Sequence, residues 1–209
     1  MSHRLRMRRG WVVPGLLAAG LLSLPSTVAA QTASQARVVR TTLVGTSVLG
    51  IPLPATTTVL ADTGLLPLGI TGALQASSVA DNVPTVLSAE SLHSTVIGLP
   101  DQASSEASLG SLAMFVAGNT ITADFIFAQA RAVTGTAASA GSEMYGLVIN
   151  GSEVAVSGAP NQSVPIIGGR VILNEVQKGA GGATVNALHV ILTGGVADIV
   201  VATATAATP

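Results

Sequence analysis

The stretch LGSLAMFVAGNTITADFIFAQA (residues 109–130) limits what this chain can fold into more than any other. Polarity alternates on both sides of Gly118-Asn119. Alternation around a Gly-first pair is the pattern of an antiparallel hairpin with a two-residue type II′ turn. Counting outward from that turn opposes Val116 to Ile121, Met114 to Ala123, Leu112 to Phe125 and Gly110 to Phe127. Side chains return to one face every second residue, so these four pairs are expected in the core. The other face carries Ser111, Ala113, Thr122 and Asp124, but also Phe115 and Ile126. Two large apolar residues on a mixed face are either covered or form a contact patch.

A second hairpin, MYGLVI-NG-SEVAVS, turns at Asn150-Gly151, the favoured type I′ pair. It opposes Leu147 to Val154 and Tyr145 to Val156, with Ile149 on the same face. Met144, Gly146, Val148, Glu153 and Ala155 take the other face. Shorter strand patterns fill most of the remaining chain. They are expected over 36–49 (broken near Gly45), 56–64, 73–80 with a turn near Asp81-Asn82, and 86–97. A loop over 98–104 leads into the long hairpin, which a strand end or loop around Gly135 and Gly141 follows. Residues 158–163 read as a loop, 164–167 and 170–176 as strands around Gly168-Gly169, and 184–192 and 196–205 as the last two strands. Residues 65–72 read as a crossing or turn. No stripe of helical period is present. Short strands with regular turns predict an all-β fold, a single antiparallel β-sandwich or barrel-like domain. A β-solenoid is the alternative, without a fixed-period repeat to support it.

The first thirty residues read as a secretory signal peptide. Arg4, Arg6, Arg8 and Arg9 precede an apolar run over 11–24, and Pro25 and Val28-Ala29-Ala30 follow, with a cut expected after Ala30. Residues 31–35 are expected to be a flexible start and 36–209 the single domain. Beyond Ala30 the chain carries five basic residues against ten carboxylates, a formal net charge of −5. Such a sparse acidic surface has no electrostatic footprint for nucleic acid. Cysteine is absent, so core burial and sheet hydrogen bonds must hold the fold without disulfides.

Reactive groups are few. His93, Asp124, Glu175 and His189 are the residues worth testing for chemistry, and each reads first as a structural or surface group. No HExxH pattern or cysteine ligand supports a zinc site. The aspartates Asp62, Asp81, Asp101, Asp124 and Asp198 are scattered rather than gathered in a calcium loop. The glycines near 168–169 and 179–182 lack the Lys-Ser/Thr of a phosphate loop. Tyr145 and most of the phenylalanines fall on apolar hairpin faces, which argues against an aromatic sugar platform. No catalytic residue, cofactor or metal is expected.

The runs VLSAESLHSTVIG, ASLGSLAMFVAGNTITADFIFAQARA, GLVINGSEVAVSGAPNQSVPIIGGRVILNEV and ALHVILTGGVADIVVATATA together resemble the exported bacterial choice-of-anchor P family. The better markers are Ile121-Thr122-Ala123-Asp124, the Asn150-Gly151 hairpin, Val171-Ile172-Leu173-Asn174-Glu175, and Ala187-Leu188-His189 with Gly194-Gly195. The resemblance implies a secreted, β-rich, surface-associated protein and brings no catalytic residues. The VVATATAATP end carries no sorting signal, so release or non-covalent retention is expected, with no integral membrane segment after the signal. The function expected is a non-enzymatic secreted or cell-surface structural or adhesive β-domain. Its expected partners are cell-envelope or extracellular-matrix components. Self-assembly into fibres by strand addition is the alternative, with the two termini as the donor segments. A small-ligand binder or hydrolase ranks below both.

Overall fold

The structure is a computed structural model that describes residues 33–44 and 54–209. The expected signal peptide and the end of the first expected strand lie outside the described residues. The strands are β1 (Ala33–Leu43), β2 (Thr56–Asp62), β3 (Leu66–Pro67), β4 (Gly72–Val83), β5 (Leu87–Leu99), β6 (Gln102–Val116), β7 (Asn119–Val133), β8 (Ser139–Tyr145), β9 (Val148–Ile149), β10 (Ser152–Glu153), β11 (Gln162–Ile166), β12 (Gly169–Gly179), β13 (Gly182–Leu192) and β14 (Ala197–Ala207). They form two antiparallel sheets. One runs β11-β12-β13-β14-β1-β2, with β3 beside the start of β1. The other runs β10-β9-β7-β6-β5-β4, with β8 pairing β7 further along. Neither closes into a barrel. Strands β1, β13 and β14 pack across β5, β6 and β7, which makes a sandwich.

The inner faces follow from alternation. Leu92, Leu109, Ile121, Ile126, Leu173, Leu188 and Ile199 are all but fully buried, each contributing about 1.5–3 kcal/mol of hydrophobic stabilisation. Alanines such as Ala107, Ala128, Ala187 and Ala204 fill the rest. Among the described residues, no aromatic side chain is in the core.

Strict alternation fails along one line in each sheet. In the β4–β8 sheet two adjacent residues both face outward: Val79-Ala80, Glu90-Ser91, Gly110-Ser111, Asp124-Phe125 and Tyr145-Gly146. In the other sheet two adjacent residues are both buried: Val38-Val39, Leu173-Asn174, Ala187-Leu188 and Val201-Ala202. Left-handed backbone sits on these lines at Ser91 (φ 52°), Ser111 (φ 47°), Ala61 (φ 45°), Asn174 (φ 51°), Ala202 (φ 53°) and Gly146 (φ 64°). For an L-residue that conformation costs roughly 1–2 kcal/mol, so the surrounding ladders over-determine it. Both sheets are therefore creased across their strands.

The crease corrects the expected faces. Leu112, Met114, Val116, Ile121 and Ala123 are core, as expected, but beyond the break the parity reverses. Ile126 is fully buried, Phe125 is exposed and Phe127 is half-buried. Met144 is buried and Tyr145 is 59% exposed for the same reason. Phe115 stays outward at 57% exposure. The turn is also displaced: it is Ala117-Gly118 (φ 47° and 78°), so Val116 faces Asn119 and Met114 faces Ile121. Asn150-Gly151 turns as expected, with Leu147 accepting the Val154 N–H at 2.9 Å, but β10 ends too early for Tyr145 to meet Val156. Residues 33–35, expected to be loose, pair with β14 and β3. The turn expected at Asp81-Asn82 falls at 84–86, and the 98–104 loop shrinks to a tight turn at Pro100-Asp101.

Asn119 explains the displaced hairpin. Its fully buried amide donates to Val116 O (3.2 Å), Ala117 O (3.4 Å) and Ile167 O (2.9 Å). Its Oδ1 accepts from Ile167 N and Asn150 Nδ2, both at 3.0 Å. One side chain thus joins three hairpin turns and spans both sheets.

Candidate functional site

The outer faces of the two sheets present different chemistry. On the β12-β13-β14-β1 face, register sets His189 beside Val200 and Val200 beside Arg40. His189 Nδ1 meets Glu175 Oε2 at 2.8 Å and Nε2 meets Asp198 Oδ2 at 3.3 Å. Asp198 also receives Arg40 Nη2 at 3.3 Å. Asn186 donates to Glu175 at 2.7 Å and accepts from Thr203 Oγ1 at 2.9 Å. Farther along, Arg37 and Gln35 hold Asp62 at 3.0 and 2.7 Å.

Burial alone would lower the His189 pKa, but the bond to Glu175 and the charges of Glu175 and Asp198 outweigh it and raise the value above 6.5. The His189 bond is the main cause that holds Glu175 below its ordinary value, against burial, with help from Asn186 and the charge of Arg170. An imidazolium that donates to two carboxylates fits both shifts. Both ring nitrogens are then engaged, so the cluster acts as a charge-paired clamp across β12, β13 and β14. Burial pushes Asp62 up, but the Gly64 N–H, Gln35 and Arg37 bring it below its ordinary value.

The β4–β8 face is open. All three phenylalanines and the tyrosine of the chain lie on it. Register builds a grid here. One row is Glu90, Gly110, Phe125 and Tyr145; the next is His93, Ser108, Phe127 and Glu143. A third row is Thr95, Glu106, Gln129 and Gly141, and a fourth is Ile97, Ser104, Arg131 and Ser139. The Phe125 and Tyr145 rings lie 6.4 Å apart, tilted by 34°, within the range of a favourable aromatic pair. Ser104, Glu106, Gln129, Arg131, Ser139 and Gly141 line a depression of about 500 Å³. Across the crease, Phe115 and the 84–86 turn border another of about 580 Å³.

Of the four residues singled out from sequence, the fold joins only Glu175 and His189. His93 is on the opposite face of the sandwich, exposed and bonded to Thr95 Oγ1 at 2.9 Å. Asp124 is exposed on the crease, its carboxylate packed over Gly146 where a Cβ would stand. Asp198, Arg40, Phe125 and Tyr145 complete the two faces and were not marked by any motif; only the crease reveals that the aromatics point outward. Among the described residues, no group of three or more His, Asp or Glu side chains is arranged to hold a metal ion. No helix among them is long and apolar enough to cross a membrane. Comparison with protein-family models, curated proteins and solved structures finds no match.

Proposed function

We propose that this protein is a non-enzymatic, exported β-domain whose structural or adhesive role is exerted through the outer face of the β4–β8 sheet. The observation that carries this reading is the placement of its aromatics. A domain with an aromatic-free core among the described residues presents Phe115, Phe125 and Tyr145 to solvent. Large apolar groups grouped outside an otherwise completed core mark contact surfaces. The basic and apolar start of the chain and the resemblance to choice-of-anchor P proteins support an extracellular setting. Cell fractionation with binding of the purified protein to envelope material tests the reading. Envelope binding that Phe125→Ala with Tyr145→Ala abolishes supports it; a cytoplasmic protein without such binding overturns it.

Self-assembly has one specific observation in its favour, and it is not the termini. Strand β14 is central, paired on both sides by β13 and β1. Strand β4 is instead an edge of twelve residues without Lys, Arg or Pro, and Val79 on it is 88% exposed. Such an edge lacks the usual protection against strand addition. Ala76→Lys should abolish any concentration-dependent growth seen by sedimentation velocity; growth unchanged by it excludes this edge.

A further inference from the structure

The glycines of the β4–β8 sheet are unequal: Gly98 points into the sandwich, whereas Gly110, Gly141 and Gly146 lie on the outer face. Gly98 would drive a Cβ into Ile70 O and the Leu66 side chain, and Gly146 into the Asp124 carboxylate. Their own fold demands them. Gly110 and Gly141 are different: neither has a left-handed φ, and both point outward from strand interiors. A Cβ on Gly110 would meet only backbone oxygens at 3.7 Å, and one on Gly141 would meet nothing within 4 Å. Alanine would fit at both, and glycine in a strand interior costs about 0.5–1 kcal/mol relative to it. A strand glycine marks a bulge, a bend or close approach by another molecule. The β5 bulge lies opposite Gly110, but alanine would fit there as well, and Gly141 has regular pairing and open space above it.

What surrounds the two openings defines the visitor. Gly110 lies between Glu90 on one side and the Phe125–Tyr145 pair on the other. Gly141 lies beside Gln129 in the polar depression with Glu106 and Arg131. Alternate residues of a strand are about 6.6–6.8 Å apart. Gly110 in the first row and Gly141 in the third are two such steps apart, with Phe127 between them, so the openings belong to one track three rows long. One end offers aromatic ring faces for C–H surfaces, and the other offers carboxylate, amide and guanidinium groups for hydroxyls. The four rows hold Glu90, Glu106 and Glu143 against Arg131 as the fixed charges. That acidic surplus disfavours polyanions.

We infer that this track binds a neutral polysaccharide, with its sugar rings over Gly110 and Gly141, Phe125 and Tyr145 as platforms, and Glu106 and Gln129 as hydroxyl partners. The inference rests on the adhesive reading above and names the ligand of the same face. It also reverses the expectation that Tyr145 and the phenylalanines would be turned away from a sugar.

Affinity electrophoresis of the full purified protein tests it, with hydroxyethylcellulose, xyloglucan, galactomannan or arabinoxylan in the gel and alginate as the polyanion arm. At least one neutral polymer should retard the protein. Tyr145→Ala and Gly110→Leu should each weaken that retardation about tenfold, and Arg40→Ala, on the opposite face of the sandwich, should leave it unchanged. Gly110→Ala should fold with an unchanged or higher Tm, which shows that the glycine is not structural. Retardation by none of the neutral polymers, or by alginate alone, overturns the inference, as does full binding by Gly110→Leu. If envelope binding survives without neutral-polymer binding, the polysaccharide assignment falls while the adhesive reading stands. If both are absent, both fall.

Discussion

The two outer faces are built on equivalent ladders and have opposite characters. On the β12-β13-β14-β1 face, Arg40, Asp198, His189, Glu175, Asn186 and Thr203 satisfy one another. On the β4–β8 face, large rings and carboxylates stand among glycines and serines with few partners beyond Tyr145–Glu143 at 3.4 Å and His93–Thr95 at 2.9 Å. Cross-strand polar pairs stabilise a sheet they cover; exposed rings stabilise it less until something covers them. One face is spent on the fold and the other is free for contact.

The contrast requires that both faces belong to one rigid body, and Asn119 is where that can be broken. Asn119→Ala should cost about 3 kcal/mol or more, because its fully buried amide is lost and the Ile167 N–H and several carbonyls lose their partner. Chemical denaturation should show both sheets unfolding in a single transition at lower denaturant. Two separated transitions would mean that the faces are independent. Gly146→Ala comes next, at about 1–3 kcal/mol, from a left-handed φ and the Asp124 carboxylate in the way. By the same measurement Gly110→Ala should cost nothing.

Glu175→Ala should cost about 1.5–3 kcal/mol by removing a half-buried charged hydrogen bond. The pH dependence sharpens this. The folded pKa of His189 is raised, so its contribution is complete below 6.5 and is lost as pH rises through the folded value. The folded pKa of Glu175 is lowered, so its contribution is complete above 4.5 and is lost as pH falls through the folded value. The pair therefore stabilises most between those limits. Stability should fall from pH 6 to pH 9 in the native protein, and His189→Gln should remove that slope. Smallest are the exposed changes. Arg40→Ala should cost less than about 1 kcal/mol, and Phe115→Ala should stay within about 0.5 kcal/mol. A larger loss at Phe115 would mean that the open face also holds the fold together.

Much of the fold is legible in polarity. Alternation and the Asn150-Gly151 pair point to antiparallel strands, and two packed sheets follow from strands with one apolar face. The register of the long hairpin is not legible, because Ala117-Gly118 and Gly118-Asn119 are both acceptable turns locally. The choice is made by Ile167 and Asn150, distant in sequence, bonding to Asn119. The parity reversal is equally hidden at Asp124-Phe125, although paired apolar residues such as Val38-Val39 and Ala187-Leu188 are its trace in the other sheet. His189 and Glu175 stand out singly as titratable groups in strands. Their meeting depends on the β12–β13 register, in which Ile172 faces His189 and Glu175 faces Asn186.

The creases also bear on errors of alignment. In an ordinary sheet, a strand that slips by one residue turns its core outward, but a slip of two keeps every side chain on its proper face. Here a slip of two would carry Ser111 or Ala202 off the crease of its neighbours and set left-handed backbone against a regular ladder. Each crease works as a key cut across the strands, with only one position in which all of them seat. Flat stacking of like strands, the geometry of fibrils, offers no place for such a key. A chain rich in Val, Ala and Thr, without cysteine to pin it, thereby carries its own guard against misregistered assembly.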